Sequence, residues 1–163
     1  MTTRRVEANK LVKYDDASWH YGGDYPKELP IENAFTHTGI FLAWSILNEL
    51  ASEEMLDDFS DEIKQLKAKA ITGGELFQIM DGKLSDGDLS SHGKQFADLY
   101  YTSDSGFGYN YYDDYGRVVE TVQTRKRKEY QTLYHFEDTW ENYALVAKII
   151  SKRYKCFLDL VGE

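Results

Sequence analysis

The residues best able to do chemistry are crowded into YDDASWHYGGDYP, which runs from Tyr14 to Pro26. This segment and the one that follows it contain carboxylates and imidazoles, which bind metal ions or transfer protons. They are Asp15, Asp16, His20, Asp24 and His37. Zinc sites usually take three or four ligands with His or Cys at close spacing, whereas these two histidines lie 17 residues apart and form no HxxxH or HExxH motif. The pattern therefore predicts that this segment holds no metal, no cofactor and no catalytic residue.

The alternative is that the segment mainly folds and docks. Asp15 and Asp16 would cap turns, and His20 would hydrogen-bond to the backbone. Trp19 would be buried as an anchor on the core, and Gly22-Gly23 would allow positive φ. We expect this role, and we keep a small metal-dependent hydrolase or a small-molecule-binding protein as the alternative. Convergence of the five acid and histidine side chains in one cleft would favour that alternative, whereas a sensor would need a closed cavity lined by Trp44 and tyrosines.

Other patterns give weaker signals for chemistry. The loop DGKLSDGDLSSH places Asp86 and Asp88 like the first acids of an EF-hand, but Ser91 stands where Gly is needed and Ala97 where Glu is needed. Cys156 is the only cysteine and lies beside an apolar stripe, which is typical of a packing residue. The basic run RKRK at 125–128 is best interpreted as a solvated helix face.

Aromatic residues form 15% of the chain and suggest a binding surface. Tyrosine supplies a large contact area at small entropic cost, and neighbouring acids would complement a basic partner. The predicted contact residues, which we call the aromatic segment, are Tyr109, Tyr111, Tyr112, Asp113, Asp114 and Tyr115. A second set, which we call the acidic patch, consists of Asp57, Asp58, Asp61 and Glu62. Burial of the tyrosines in the core remains the competing interpretation.

Charge and composition limit the class of protein. The net charge is −9, and the stretch from Asp15 to Asp114 holds 20 acids and 6 bases. Such a surface repels nucleic acid and speeds association with a basic protein. No apolar run is long enough for a membrane helix, and no signal peptide is evident, so we expect a cytoplasmic protein without a membrane partner.

The periodicity predicts one mainly α domain over residues 1–163, with about five to six helices, a possible short strand pair and a flexible basic arm at 1–13. Helices are expected in FTHTGIFLAWSILNEL, capped by Thr36 or Thr38, in SDEIKQLKAKAI, capped by Ser60, in GGELFQIM and in SSHGKQFADLYY. RVVETVQ fits a helix or a strand, and we favour a helix. Asp138, with Glu141 three residues later, predicts a capping box for a long C-terminal amphipathic helix.

Several stretches together resemble an uncharacterised family of small bacterial proteins. They are KYDDASWHYGGDYPKELP, THTGIFLAWSILNEL, DGKLSDGDLSSHGKQFADLYY and LYHFEDTWENYALVAKIISKRY. Members of the family carry motifs similar to YDDASWHYGGDFP and YHVEDTWENY. The family resembles immunity proteins, the small acidic partners of contact-dependent or secreted toxins in bacterial competition.

This resemblance implies an immunity protein that binds and neutralises a cognate toxin by occluding its active site. The acidity of the chain makes a basic, nuclease-like toxin the expected partner. The insertion GYNYYDDYGRVVETVQTRKRK departs from the family pattern and is where partner specificity would vary. The resemblance carries no catalytic residues onto this chain.

Overall fold

A computed structural model of the chain describes residues 12–101, 105–127 and 131–163. The described part contains eight α-helices and a two-stranded antiparallel sheet. In chain order the elements are β1 (Lys13–Asp16), α1 (Ala17–Tyr21), α2 (Thr36–Leu47), α3 (Glu53–Asp58), α4 (Ser60–Lys67), α5 (Gly73–Ile79), β2 (Lys83–Ser85), α6 (Ser91–Tyr100), α7 (Tyr111–Arg125) and α8 (Trp140–Val161). The mainly α class and the strand pair are confirmed. The helix number is higher than expected because α1 and α3 are too short for periodicity to reveal.

The central element is α2, which packs against α5 and α8. Every residue of it from Thr36 to Ile46 is buried, so the helix is surrounded on all sides, as expected of a core helix. Neither threonine caps it, because a 3-10 helix over Ile31–Phe35 runs directly into its first turn. The predicted cap was therefore wrong, although the helix itself is confirmed.

Glycines allow α2 and α5 to approach each other closely. A Cβ atom on Gly39 would overlap the backbone of Gly73 and Gly74. Thr72 caps α5 with a capping box closed by Glu75, which fixes the start of that helix against α2. The first turn of α2 is therefore held in place by backbone-to-backbone packing.

The amino-terminal segment is tied to the loop after α5 through the sheet. Lys13 pairs with Ser85 and Asp16 with Lys83, and the Val12 amide donates to Asp86 at 3.1 Å. Val12 and Lys13 therefore do not belong to a flexible arm, and the rest of the predicted arm, residues 1–11, lies outside the described residues. The DGKLSDGDLS loop supplies β2 and a 3-10 helix at Asp86–Asp88.

The two long helices carry the rest of the core. RVVETVQ lies within α7, so the helical interpretation is confirmed, and Asn110 caps this helix. In α8 the cap is Thr139, whose hydroxyl accepts from the Asn142 amide, whereas Asp138 accepts from the Thr72 hydroxyl at 2.5 Å. The predicted capping box was therefore wrong: the cap lies one residue later, and only the Thr139 side chain contributes to it.

Smaller differences concern α4 and the basic run. Ser60 is the first residue of α4 and Phe59 stands at its cap, and the helix ends at Lys67 rather than at Ile71. Arg125 ends α7, and the two basic residues that follow it are exposed. Lys128 lies outside the described residues. Among the described helices, none is long and apolar enough to cross a membrane.

The close contact between α2 and α5 predicts a large effect of Gly39→Ala. The added methyl group has no room against the α5 backbone, so we expect a loss of about 2–3 kcal/mol in the free energy of unfolding, as for overpacked cores. Gly116→Ala is the matched control, because Gly116 also lies in a helix but has no atom within 4 Å of the position that a Cβ would take. It should stabilise by about 0.5–1 kcal/mol. Urea unfolding measures both, and equal effects would contradict the packing argument.

Candidate active site

Asp15, His20 and His37 converge at one point, although they come from three different elements. Asp15 lies in β1, His20 in α1 and His37 in the first turn of α2. His20 Nε2 is 2.7 Å from Asp15 Oδ1, and His37 Nε2 is 3.3 Å from Asp15 Oδ2. The two Nε2 atoms are only 3.2 Å apart. All three residues direct a potential ligand or proton-transfer atom at the same small volume.

Local structure explains the convergence. The Asp16 carboxylate accepts from the backbone and hydroxyl of Ser18, which starts α1 immediately after β1. The Ala17 amide also donates to the Gly82 carbonyl at 2.8 Å, so the turn is fixed to the segment before β2. This turn sets Asp15 and His20 on one side, and the packing of α2 on α5 brings His37 to them.

The Asp15 carboxylate is buried and surrounded by donors. The hydroxyls of Tyr101 and Thr38 donate to Oδ2 at 2.5 and 3.0 Å, and the Tyr112 hydroxyl donates to the same oxygen. The Asp16 amide donates to Oδ1 at 2.9 Å. Burial alone would raise the pKa of Asp15, but the contacts of its carboxylate with His20 and His37 outweigh burial and hold this pKa well below its usual range. The carboxylate is therefore ionised at neutral pH.

His37 has 1% of its surface exposed. Burial lowers its pKa, and the opposing hydrogen bond and charge of Asp15 do not compensate, so the imidazole is neutral at pH 7. Its Nε2 atom also lies 3.2 Å from the Tyr112 hydroxyl. Its Nδ1 atom is buried and has no hydrogen-bond partner among the described residues.

His20 is held from the opposite side of its ring. Its Nδ1 atom is 2.7 Å from the Tyr134 hydroxyl. Tyr134 belongs to a 3-10 helix at Leu133–His135, and its carbonyl accepts from Asn33 Nδ2 at 2.8 Å. The ring orientation of His20 is thus set by a tyrosine that is 114 residues away in the chain.

The cluster opens into a groove with a volume of about 540 Å³. Besides Asp15 and His20, its walls are Tyr14, Trp19, Tyr101, Asn110, Tyr112 and Asp113. Trp19 is 56% exposed. Aromatic surface combined with a few polar groups is the usual lining of a small-molecule site.

The structure brings together three of the five predicted acid and histidine residues. Asp16 caps α1 and pairs with Lys13 at 3.1 Å, and Asp24 is exposed outside the cluster. The folding interpretation is confirmed for Asp16, which caps a turn, and was wrong in three other details. Trp19 is exposed instead of buried, and neither glycine of Gly22-Gly23 has positive φ. His20 contacts side chains rather than the backbone.

The aromatic segment is divided between core and surface. Tyr111, Asp114 and Tyr115 are buried, because they lie on the inward face of α7 with Val118. Asp114 accepts a bidentate pair of hydrogen bonds from Arg153 at 2.8 and 3.0 Å. These three residues do not form a contact surface in this fold, whereas Tyr109 and Asp113 are exposed and Tyr112 borders the cluster.

The acidic patch is accessible at three of its four positions, since Asp57, Asp58 and Asp61 are exposed and Glu62 is half-buried. Trp44 is buried among aromatic rings, with its Nε1 donating to Ser151 at 2.9 Å, and does not line the groove at the cluster. A role of the acidic patch in binding a toxin stays a prediction.

Three site residues were missed from the sequence: Thr38, Tyr101 and Tyr134. Their hydrogen bonds to the cluster span 23, 86 and 114 residues of chain. The spacing of residues within one segment cannot predict contacts between segments that are so far apart in the chain. Tyr112 was predicted to be a surface residue, and its hydroxyl instead faces Asp15.

Tyr101 and Tyr115 offer a matched test of this hydrogen-bond network, because both are buried tyrosines. The Tyr101 hydroxyl donates to an ionised carboxylate, so Tyr101→Phe should destabilise by about 1.5–3 kcal/mol. The Tyr115 hydroxyl is buried without a partner among the described residues, so Tyr115→Phe should be neutral or slightly stabilising. Thermal and urea unfolding compare the two, and equal losses would mean that Asp15 does not depend on these donors.

Comparison with known proteins identifies a family without assigning an activity. No curated protein and no solved structure matches the chain. A family match covers residues 13–136, which include Asp15, His20, His37 and Tyr112. The match spans most of the chain, so this protein belongs to the family described as Domain of unknown function (DUF7832).

Proposed function

We propose that this protein is a small hydrolase whose reactive centre is formed by Asp15, His20 and His37. The observation that carries the proposal is the convergence of two imidazole Nε2 atoms and one carboxylate, with the Nε2 atoms 3.2 Å apart, beside an open groove. Hydrolysis needs a water that is activated next to the bond to be cleaved. A carboxylate with two imidazoles provides either a proton acceptor or a place for a cation, and both activate water.

The residues around the centre support this chemistry. A buried ionised Asp15 supplies negative charge, which stabilises a positive charge that develops beside it. The Tyr112 hydroxyl lies 3.3 Å from His20 Nε2 on the groove side and donates its proton to Asp15, so its oxygen can accept a hydrogen bond from a substrate or a water. Its pKa is raised by burial and by the charge of Asp15, so the hydroxyl keeps its proton at neutral pH.

The groove favours a small polar substrate with an apolar or planar part. Trp19 and Tyr14 offer aromatic faces, while Asn110 and Asp113 offer hydrogen-bonding groups. A small ester, amide or phosphoester fits this composition. Asp113 would favour a substrate that carries a hydroxyl or a positive charge at that end.

The test is hydrolysis of a panel of chromogenic esters, amides and phosphoesters, with and without added divalent metals. His20→Ala and Asp15→Asn should lower kcat/KM by at least about 100-fold, the usual effect of losing a proton-transfer or water-activating group. His92→Ala is the control, because this histidine is only partly buried, pairs with Glu163 and does not line the groove. Circular dichroism confirms folding of each variant. The proposal fails if the wild type does not exceed the buffer rate on any substrate, or if His92→Ala loses as much as the other two.

Toxin neutralisation is our second proposal, favoured by the exposure of the acidic patch. Asp57, Asp58 and Asp61 are all solvent-accessible on α3 and α4, in a protein of net charge −9. Such a face would attract a basic, nuclease-like toxin and speed its association. Asp113 and Tyr109 would form the remaining accessible part of the aromatic segment.

The triple variant Asp57→Lys, Asp58→Lys and Asp61→Lys tests this second proposal in a salt-dependent pull-down from host lysate, followed by co-expression with the captured protein. We expect the wild type to retain a basic polypeptide, to lose it as salt rises, and to relieve its toxicity; the variant should do none of these. Asp113→Ala tests the other surface without touching the Asp114–Arg153 pair. Equal capture and equal protection by wild type and triple variant would rule out the acidic patch.

A further inference from the structure

We infer that Asp15, His20 and His37 bind one divalent transition-metal ion. The inference deepens the proposed hydrolase, because it names the group that would activate water at the same centre. It rests on the positions of the ligand atoms, on the side chains that orient them and on the open side of the cluster.

The separations of the ligand atoms match those around a metal ion. Two ligands bound tetrahedrally at about 2.0–2.1 Å from zinc lie about 3.3–3.4 Å from each other. The two Nε2 atoms are 3.2 Å apart, and His37 Nε2 is 3.3 Å from Asp15 Oδ2. The shorter distance, 2.7 Å from His20 Nε2 to Asp15 Oδ1, is that of a direct hydrogen bond, so a cation would need this pair to separate slightly.

The close approach of the two histidine nitrogens also favours a cation between them. Two imidazole nitrogens that face each other at 3.2 Å cannot both carry a proton without repulsion. A metal ion instead uses the lone pairs of both nitrogens and the charge of the carboxylate. The burial of His37 and Asp15 strengthens this attraction because little water competes.

The surrounding side chains orient the ligands as outer partners do in metal sites. Tyr134 lies at Nδ1 of His20 and, by accepting a hydrogen bond there, would let the Nε2 lone pair bind the ion in place of its hydrogen bond to Asp15. Tyr101 and Thr38 donate to the Asp15 carboxylate. Nδ1 of His37 is the exception, since it has no partner among the described residues, and we therefore expect weaker binding than in a fully supported site.

An ion held by these three side chains would take water as its fourth ligand. Three protein ligands with a fourth, exchangeable position are the arrangement of catalytic zinc sites, as opposed to closed structural sites. The Tyr112 hydroxyl, 3.2 and 3.3 Å from the two Nε2 atoms, borders that position at the wall of the groove. Tyr112 would orient a metal-bound water without being required for metal binding.

The ligand set restricts the choice of ion. Two imidazoles and one carboxylate suit zinc, ferrous iron and related transition metals, whereas magnesium and calcium prefer oxygen ligands alone. The ions that fit this ligand set are therefore all divalent transition metals. Separate titrations with Zn²⁺, Co²⁺, anaerobic Fe²⁺ and Mg²⁺ identify which ion is preferred.

The experiment uses the full chain after removal of metals by a chelator and dialysis. Zn²⁺ binding is measured by calorimetry, and Co²⁺ binding by the visible absorption that low-symmetry cobalt gives. We expect one equivalent of Zn²⁺ or Co²⁺ to bind stoichiometrically at micromolar protein, with no such binding of Mg²⁺. His20→Ala should lose it, and Tyr112→Phe should retain it while hydrolysis falls.

His92→Ala is the matched control, because His92 and Glu163 form a solvent-accessible histidine–carboxylate pair 2.7 Å apart that could bind metal adventitiously. It should leave the stoichiometric site intact. If His20→Ala does not fold, the Tm of wild type and of the milder His20→Gln with and without Zn²⁺ replaces the titration, since a metal that binds only the folded state raises Tm. Equal binding by wild type and His20→Ala, or loss in His92→Ala alone, would overturn the inference.

The outcomes separate this inference from the proposed hydrolase. Stoichiometric metal binding without hydrolysis of any substrate supports the metal site and contradicts the proposed hydrolase function. Hydrolysis that persists in protein shown by elemental analysis to be metal-free, together with no stoichiometric metal binding in the titration, supports the hydrolase and contradicts the metal site.

Discussion

The buried carboxylate of Asp15 is the constraint on which much of this structure depends. An ionised carboxylate is stable away from water only if donors surround it. Here the donors come from α1, α2 and α7 and from Tyr101, the residue that follows α6. The same contacts that solvate Asp15 therefore fix the relative positions of four parts of the chain.

Packing of the helices also fixes the positions of the residues around Asp15. The close approach of α2 and α5 at Gly39 leaves no freedom for the first turn of α2, which carries His37 and Thr38. On the other side, the Asp114–Arg153 pair joins α7 to α8, and the Tyr100 hydroxyl donates to the same carboxylate at 2.7 Å. Tyr112 is thus presented by the first turn of α7, which is held by the Asn110 cap and by the contacts of Asp114. Such rigidity keeps the converging polar groups of the cluster together, because without it they would separate and water would enter between them.

The sequence predicted the helices better than the site, for a physical reason. Apolar periodicity is local, so α2, α5, α6 and α8 were recognisable from spacing alone. Convergence of His20 and His37 is not local, because it depends on a turn fixed by Asp16 and on the docking of α2. The burial of Tyr111 and Tyr115 was nevertheless readable, since their spacing of four residues continues to Val118 and Val119 and marks the inward face of one helix. Trp19 shows the opposite error, because a large aromatic residue in a short turn lies at the groove instead of in the core.

The central claim is that the two histidines and Asp15 converge in order to hold a metal ion for hydrolysis, rather than only to satisfy a buried carboxylate. The most direct measurement is an anomalous difference map, at the zinc absorption edge, from crystals grown with Zn²⁺. The account predicts one strong peak about 2.0–2.2 Å from Asp15, His20 Nε2 and His37 Nε2, with the Tyr112 side open to the groove. A map with no peak there, or with zinc only at surface pairs such as His92 and Glu163 while His20 still hydrogen-bonds directly to Asp15, would contradict it.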